Sequence, residues 1–330
     1  VIGIFKQKNP ANLFILFVIG ILIKLPMFLA PQKAIVHPSD GALYDLIIGF
    51  LDPVAKSFTL LYPILTYALL FMQALLLTTF INNQRMTNKS TYLPGLAYIL
   101  ITSLLPEWNY FTAPLLVNTI LMYVLSGLFG IYNRQNVRGA IFNIGLLLGI
   151  AAFLFVSSLA FVLWVWLAMA IMRPFRLTEW LISVLGVTTP FYFYAIYLVI
   201  TGHWSWEVFL PTMHLGLPSL KQSAWLAGSV FLVMVPFLAG GYYVQENLRR
   251  MLINVRKGWS LLLLFLLTAM LVPFINPGNS FENWVVGMLP LAAFHGCAYL
   301  YSTWRPFPYI LFWITVAFIV AYQYWGPQWV

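Results

Sequence analysis

The sequence predicts an all-α fold, a polytopic transmembrane bundle of about eleven helices, from three observations. The chain is 62% hydrophobic and only 8% charged, far from the balance of a soluble domain. Apolar runs of about 20 residues recur along its length, enough at ~1.5 Å per residue to cross a ~30 Å hydrocarbon layer. Thirteen of the seventeen Lys and Arg residues fall in alternate gaps between those runs.

The runs place helices at 12–30, 58–81, 92–105, 110–132, 139–156, 158–172, 178–200, 224–244, 259–275, 284–302 and 306–324. The first is preceded by Lys6 and Lys8 like a signal sequence, but its long apolar stretch and the lack of a small-x-small cleavage site read as a retained anchor. The third is short for a crossing and reads as a buried helix or half-span. The apolar stretch 139–172 is too long for one ordinary crossing, and Ser157 and Ser158 mark a tight turn that divides it.

Charge tests this division. With the N-terminus cytoplasmic, Lys6, Lys8, Arg85, Lys89, Arg134, Arg138, Arg173, Arg176, Arg249, Arg250, Arg256, Lys257 and Arg305 lie inside. Lys33, Lys56 and Lys221 lie outside, and Lys24 falls within the first helix. Retention of cations on the cytoplasmic side is the rule that sets orientation. Asp40, Asp45, Asp52, Glu107, Glu207 and Glu282 fall outside, against Glu179 and Glu246 inside. Without the turn at Ser157, the cluster from Arg249 to Lys257 would be extracytoplasmic. The C-terminus is then outside, and the whole of 1–330 forms one integral membrane domain in the bacterial inner membrane.

Composition narrows the function classes. The formal net charge of +9 is spread over short segments and reads as a collar facing anionic lipid head groups rather than as a nucleic-acid surface. The single cysteine, Cys297, excludes an internal disulfide and packs in an apolar helix. No Cys or Cys/His spacing indicates zinc. The longest segments between runs, 31–57 and 201–223, are too short for a soluble domain.

The outer segments hold the candidate chemistry. In the first, Asp40-Gly41 signals a turn, and 42–51 reads as an amphipathic helix lying flat at the interface, with Leu43, Leu46, Ile47 and Phe50 on one face. Ser39 or Asp40 stands at its N-cap, so Asp40 is either a cap or a carboxylate held at the membrane surface. Glu107, in Pro106-Glu-Trp-Asn-Tyr110, is either a solvated acid in an aromatic belt or a carboxyl desolvated beside Trp108. His203, Glu207 and His214 follow in the second long segment, where no helical spacing forces them together on a metal or phosphate. Within the runs, Lys24 can snorkel toward the outer interface, and His295 reads as a hydrogen-bonded core histidine. Asn118 and Asn143 are the other polar residues there, of the kind that faces a bundle interior.

Taken together, the key acid after the first helix, the acid between the third and fourth helices, the segment from Arg85 to Pro94 and the Gly-rich Arg138-Gly-Ala-Ile-Phe-Asn-Ile-Gly-Leu-Leu-Leu-Gly149 resemble the C-type (GT-C) superfamily of membrane glycosyltransferases. The resemblance covers 12–225 and leaves 226–330 as additional C-terminal helices. It implies transfer of a sugar from a polyprenyl phosphate at the outer face. Asp40 would be the base or a metal ligand, and Glu107 a helper or second ligand. Lys33, His37, Asp45, His203, Glu207 and Lys221 would be substrate-binding. A divalent cation, if one takes part, would be held by the carboxylates. The chain also resembles a group of multi-pass inner-membrane proteins of Bacteroidota, which implies a host group and no activity.

Two other functions compete with this one. The aromatic share of 18% suits a non-catalytic subunit of an inner-membrane secretion or translocation complex, bound to other membrane proteins and lipids. Prolines at 26, 114, 190, 236 and 273 would allow the broken helices of a transporter, but no acid lies mid-membrane to couple an ion.

Overall fold

The computed structural model describes residues 2–7, 9–209, 213–218, 223–278 and 280–326, except the side chains of Glu207, Tyr324 and Trp325. The described chain is helical, and its only β pairing consists of isolated bridges at Asp40–Phe155 and Leu215–Ile275. The helices are α1 (Ile2–Phe5), α2 (Pro10–Ile23), α3 (Leu25–Leu29), α4 (Ala42–Ser57), α5 (Leu61–Asn83), α6 (Leu93–Ile101), α7 (Ala113–Gly130) and α8 (Arg138–Leu154). There follow α9 (Ala160–Met172), α10 (Leu177–Ile200), α11 (Trp206–Phe209), α12 (Ala224–Asn247), α13 (Ile253–Leu271), α14 (Met288–Tyr301) and α15 (Phe307–Trp325).

Each predicted apolar run holds helix. Six stretches are both long and apolar enough to cross a membrane: Leu61–Asn83, Ala113–Gly130, Leu177–Ile200, Ala224–Arg250, Ile253–Phe274 and Glu282–Tyr301. Large apolar side chains cover their outer faces. Tyr192, Phe193, Val199 and Ile200 on α10 and Phe231 and Leu238 on α12 are exposed, a surface suited to lipid rather than water. These are the properties of a membrane protein.

Contacts sort the connections into two ends of the bundle. At one end, Ile35 N–H donates to Phe111 O at 3.1 Å and Gly41 N–H to Leu154 O at 3.1 Å. At that same end Trp108 Nε1 donates to Phe281 O at 2.8 Å and Ser157 Oγ to Ile275 O at 3.0 Å. At the other end, Tyr92 N–H donates to Phe5 O at 2.9 Å and Asn88 N–H to the Tyr301 hydroxyl at 2.8 Å. There, too, Arg173 Nη1 donates to the Ile131 and Arg134 carbonyls at 2.8 and 2.7 Å. The first end carries Asp40, Asp45, Asp52, Glu107 and Glu282, and the second carries Arg85, Arg134, Arg173, Arg249 and Arg250. Asp40 and Arg249 therefore emerge from opposite ends, the separation that the charge pattern requires.

The stretch 139–172 doubles back. The helix α8 stops at Leu154, a 3-10 turn spans Val156–Leu159, and α9 returns the chain to Arg173. The helix α6 has only nine residues, all buried. Glycines let α8 and α10 touch backbone to backbone: a Cβ on Gly145 would stand 2.4 Å from Ser183 O, and one on Gly186 2.4 Å from Phe142 O. Close approach at small residues is how membrane helices gain packing energy without a hydrophobic driving force. Inside the bundle, Tyr98 donates to Gln73 Oε1 at 2.5 Å, Gln73 Nε2 donates to Leu115 O at 2.7 Å, and Asn118 Nδ2 to Val285 O at 3.1 Å. By contrast, Asn143 is exposed.

One expectation is corrected here and another holds. The Lys24 side chain does not snorkel. It is fully buried where α2 breaks into α3, and its Nζ donates to Thr102 O at 3.0 Å and Asn109 Oδ1 at 2.6 Å. The Thr102 carbonyl at the end of α6 and the Asn109 side-chain amide give the ammonium partners inside the protein, so it has no need of the interface. His295 is the core histidine expected, with Nε2 2.7 Å from Val233 O.

Candidate functional site: an acid and histidine cluster at one end of the bundle

The helix α4 runs from Ala42 to Ser57, longer than the pattern indicated. Its 3.6-residue period gives it three faces. Tyr44 and Ile48 are buried against the bundle, while Leu46, Phe50 and Val54 project outward. Asp45, Asp52 and Lys56 share the third face. The Tyr44 hydroxyl donates to Ile35 O at 2.8 Å and Phe111 O at 3.1 Å, and the Tyr62 hydroxyl donates to Asp52 Oδ1 at 2.5 Å. These bonds hold α4 against the bundle, with the apolar stripe of Leu46, Phe50 and Val54 left exposed.

Asp40 is not the cap of this helix. The N-cap is Gly41, with no side-chain capping bond. The Asp40 carboxylate turns back instead, accepting the His37 N–H on Oδ2 at 2.8 Å, while its own N–H donates to His37 O at 2.9 Å. The main chain after it lies against α8 so closely that a Cβ on Gly41 would stand 2.1 Å from Phe153 O. The turn is thus fixed by main-chain contact, and the carboxylate is left to the cavity.

His37 Nε2 lies 2.9 Å from Oε2 of Glu282, which is buried at the start of a 3-10 segment, Glu282–Gly287. The Glu282 hydrogen bond holds the His37 imidazole above its ordinary value of 6.5, more strongly than partial burial lowers it. Burial pushes the Asp40 carboxyl up from 3.8 to about 6, against the opposing effects of the His37 N–H and the His37 charge. The Asp40 carboxyl and the His37 imidazole are thus both shifted upward, a perturbation of the kind that acid–base sites show.

Asp40 borders two cavities. One, of about 470 Å³, is also lined by His37, His214, Asn276 and Asn283. The other, of about 220 Å³, is walled by Phe153, Phe191, Tyr194 and Phe209, with Asp45 at its rim. His214 joins the first through a reciprocal pair with Asn276: its N–H donates to Asn276 Oδ1 at 2.7 Å and its O accepts the Asn276 N–H at 2.7 Å.

Asp45 is exposed at the rim of the smaller cavity. The remaining candidates lie apart. Lys33 is exposed. Glu107 sits in the 3-10 turn Pro106–Asn109, whose Trp108 is buried in the core rather than placed in a belt. Burial holds the Tyr110 phenol above its ordinary value of 10.0, and the negative charges of Glu107 and Glu282 oppose its ionisation further. That turn borders a third cavity of about 260 Å³ with Tyr62, Thr66 and Tyr322, not those of Asp40. His203 is exposed and closes α10 in a Schellman turn. Its N–H reaches Leu198 O at 3.0 Å, with Gly202 at φ +72° and its N–H on Val199 O. Trp204 and Trp206 stand exposed beside it. The Glu207 side chain and Lys221 lie outside the described residues.

Glu282 is the partner that the sequence reading did not single out. It was one of several outer acids, 245 residues from His37, and no local pattern links them. Among the described residues, no three His, Cys, Asp or Glu side chains gather to hold a metal ion. Compared with known proteins, the chain matches no family model, no curated protein and no solved structure.

Proposed function

We propose that this chain is a GT-C-like glycosyltransferase of the bacterial inner membrane, with about eleven crossings, its N-terminus cytoplasmic and its C-terminus outside. It would take a sugar from a polyprenyl-phosphate carrier at the outer face. The observation that carries this reading is Asp40, a carboxylate titrating at about 6 that borders two cavities, one of them walled by Phe153, Phe191, Tyr194 and Phe209.

Asp40 has the role of general base. The acceptor hydroxyl gives its proton to the Asp40 carboxylate as its oxygen bonds to the anomeric carbon. The bond from that carbon to the phosphate oxygen breaks, and the polyprenyl phosphate leaves with the electron pair. A base of this pKa is mostly ionised at neutral pH yet still basic enough to help. Glu282 favours the protonated form of His37, which would place positive charge beside the leaving phosphate. The aromatic wall suits a sugar or isoprenoid face, and the exposed stripe of α4 holds the site at lipid level.

Asp40→Asn tests the assignment. In proteoliposomes supplied with polyprenyl-phosphate sugars, transfer should fall about 10²–10⁴-fold, the usual worth of a positioned base. Undiminished transfer by the pure mutant removes Asp40 from the chemistry. A second reading, an accessory subunit of a secretion or translocation complex, is favoured by Trp206, Leu215 and Leu217, which stand exposed on the connection between α10 and α12. A stoichiometric partner retained in mild detergent, without sugar transfer, would support it.

A further inference from the structure

The opposite end of the bundle holds a cavity that the proposed chemistry does not use. It measures about 330 Å³, with Arg85, Asn88, Asn247 and Arg250 at its mouth and Met86 and Val255 among its walls. Met86 and Val255 are buried, while both arginines are exposed. Neither guanidinium has an ion-pair partner among the described residues. Of the two carboxylates at this end, Glu179 is held by Arg173 at 2.9 Å, and Glu246 does not line the cavity. Two convergent cations and two side-chain amides, with no acid among them, form a recess of one sign.

The backbone supplies a separate observation. Arg85 N–H donates to Asn82 O and Met86 N–H to Ile81 O, which closes α5 in a Schellman turn with Arg85 at the left-handed position, φ +51°. Glycine is the favoured residue there, because an L side chain is strained. The other two described non-glycine residues with positive φ are Asn133 and Asn276, the type that tolerates it best. An arginine at this position lines the recess at a cost in backbone strain. Asn88 is fixed at the rim by its N–H on the Tyr301 hydroxyl, at 2.8 Å.

We infer that the cavity between the α5–α6 and α12–α13 connections binds a phosphate group, gripped by Arg85 and Arg250 with Asn88 and Asn247 completing the contacts. Guanidinium forks match phosphate oxygens two at a time. The phosphate belongs either to an anionic lipid head group or to a soluble phosphate ester. This inference stands independently of sugar transfer at Asp40.

The test uses the full-length protein in detergent, with two probes: phosphatidylglycerol against phosphatidylcholine, scored by native mass spectrometry, and inorganic pyrophosphate, scored by calorimetry. Arg85→Gly and Arg250→Gln should each weaken binding about tenfold, the loss expected of one charge-assisted contact. Arg85→Gly should melt at or above the wild-type temperature, since glycine relieves the turn. Arg305→Gln, at the same end but outside the cavity, should bind as wild type does. Binding of the lipid alone identifies a head-group site, and binding of pyrophosphate alone identifies a soluble ligand. Wild type binding neither probe, or Arg85→Gly and Arg250→Gln binding as well as wild type, overturns the inference.

Discussion

His37 and Glu282 meet at 2.9 Å across 245 residues of chain, joining the segment before α4 to the 3-10 segment before α14. The Glu282 side chain is 5% exposed and that of His37 39%, so the pair sits at the boundary between protein and solvent. That partial exposure limits its worth to stability.

Glu282→Gln should therefore cost about 1 kcal/mol below pH 6, less than a fully buried charged hydrogen bond. The raised His37 pKa gives the sign. Its contribution is fully present below the unfolded value of 6.5 and is lost as pH rises through the higher folded value. Detergent melting curves of wild type and mutant should converge at alkaline pH.

Asp40 acts in the same direction for a different reason. Its folded pKa of about 6 exceeds the unfolded 3.8, so the folded protein holds the proton more tightly. The stability it confers is present below 3.8 and lost as pH rises through about 6. Asp40→Asn should flatten the dependence of melting temperature on pH between 4 and 6 and leave the protein no less stable at pH 8.

The helical layout was legible because the apolar runs are long and the cations alternate between them. The turn at Ser157 followed from the length of the apolar stretch and from the charge pattern, and the return of α9 to Arg173 agrees with it. The α4 pattern was legible too, though its buried face is set by Tyr44 and Ile48, which a lipid-facing stripe at Leu46 and Phe50 obscured. What could not be read was pairing across distance. Nothing local links His37 to Glu282, Lys24 to Asn109, or His214 to Asn276. Capping misled at Asp40 because an Asp before a helix usually caps it, and here the His37 N–H captures the carboxylate first.

Gly41 and Gly49 give a paired test of the turn. A Cβ at Gly41 would meet Phe153 O at 2.1 Å, whereas one at Gly49 meets nothing within 4 Å. Gly41→Ala should cost about 2 kcal/mol by forcing the main chain off α8. Gly49→Ala, inside α4, should gain about 0.5–1 kcal/mol. Thermal unfolding in detergent reads both.

Lys24→Ala should cost about 2–4 kcal/mol, since it opens space and leaves Thr102 O and Asn109 Oδ1 without their donor. Lys24→Met, which keeps the packing, should lose less. Equal melting temperatures for wild type and Lys24→Ala would show that the ammonium does not tie the α2–α3 junction to the end of α6.

All of the chemistry assigned to Asp40 requires its end of the bundle to face away from the cytoplasm. Cys297 is the only cysteine and is buried, so single cysteines placed at Ser39 and Arg249 can be labelled with a membrane-impermeant maleimide. In intact cells with a permeabilised outer membrane, Ser39→Cys should label at once, and Arg249→Cys only after the inner membrane is opened. Labelling of both from the same side, or of Arg249→Cys alone in intact cells, would contradict the account.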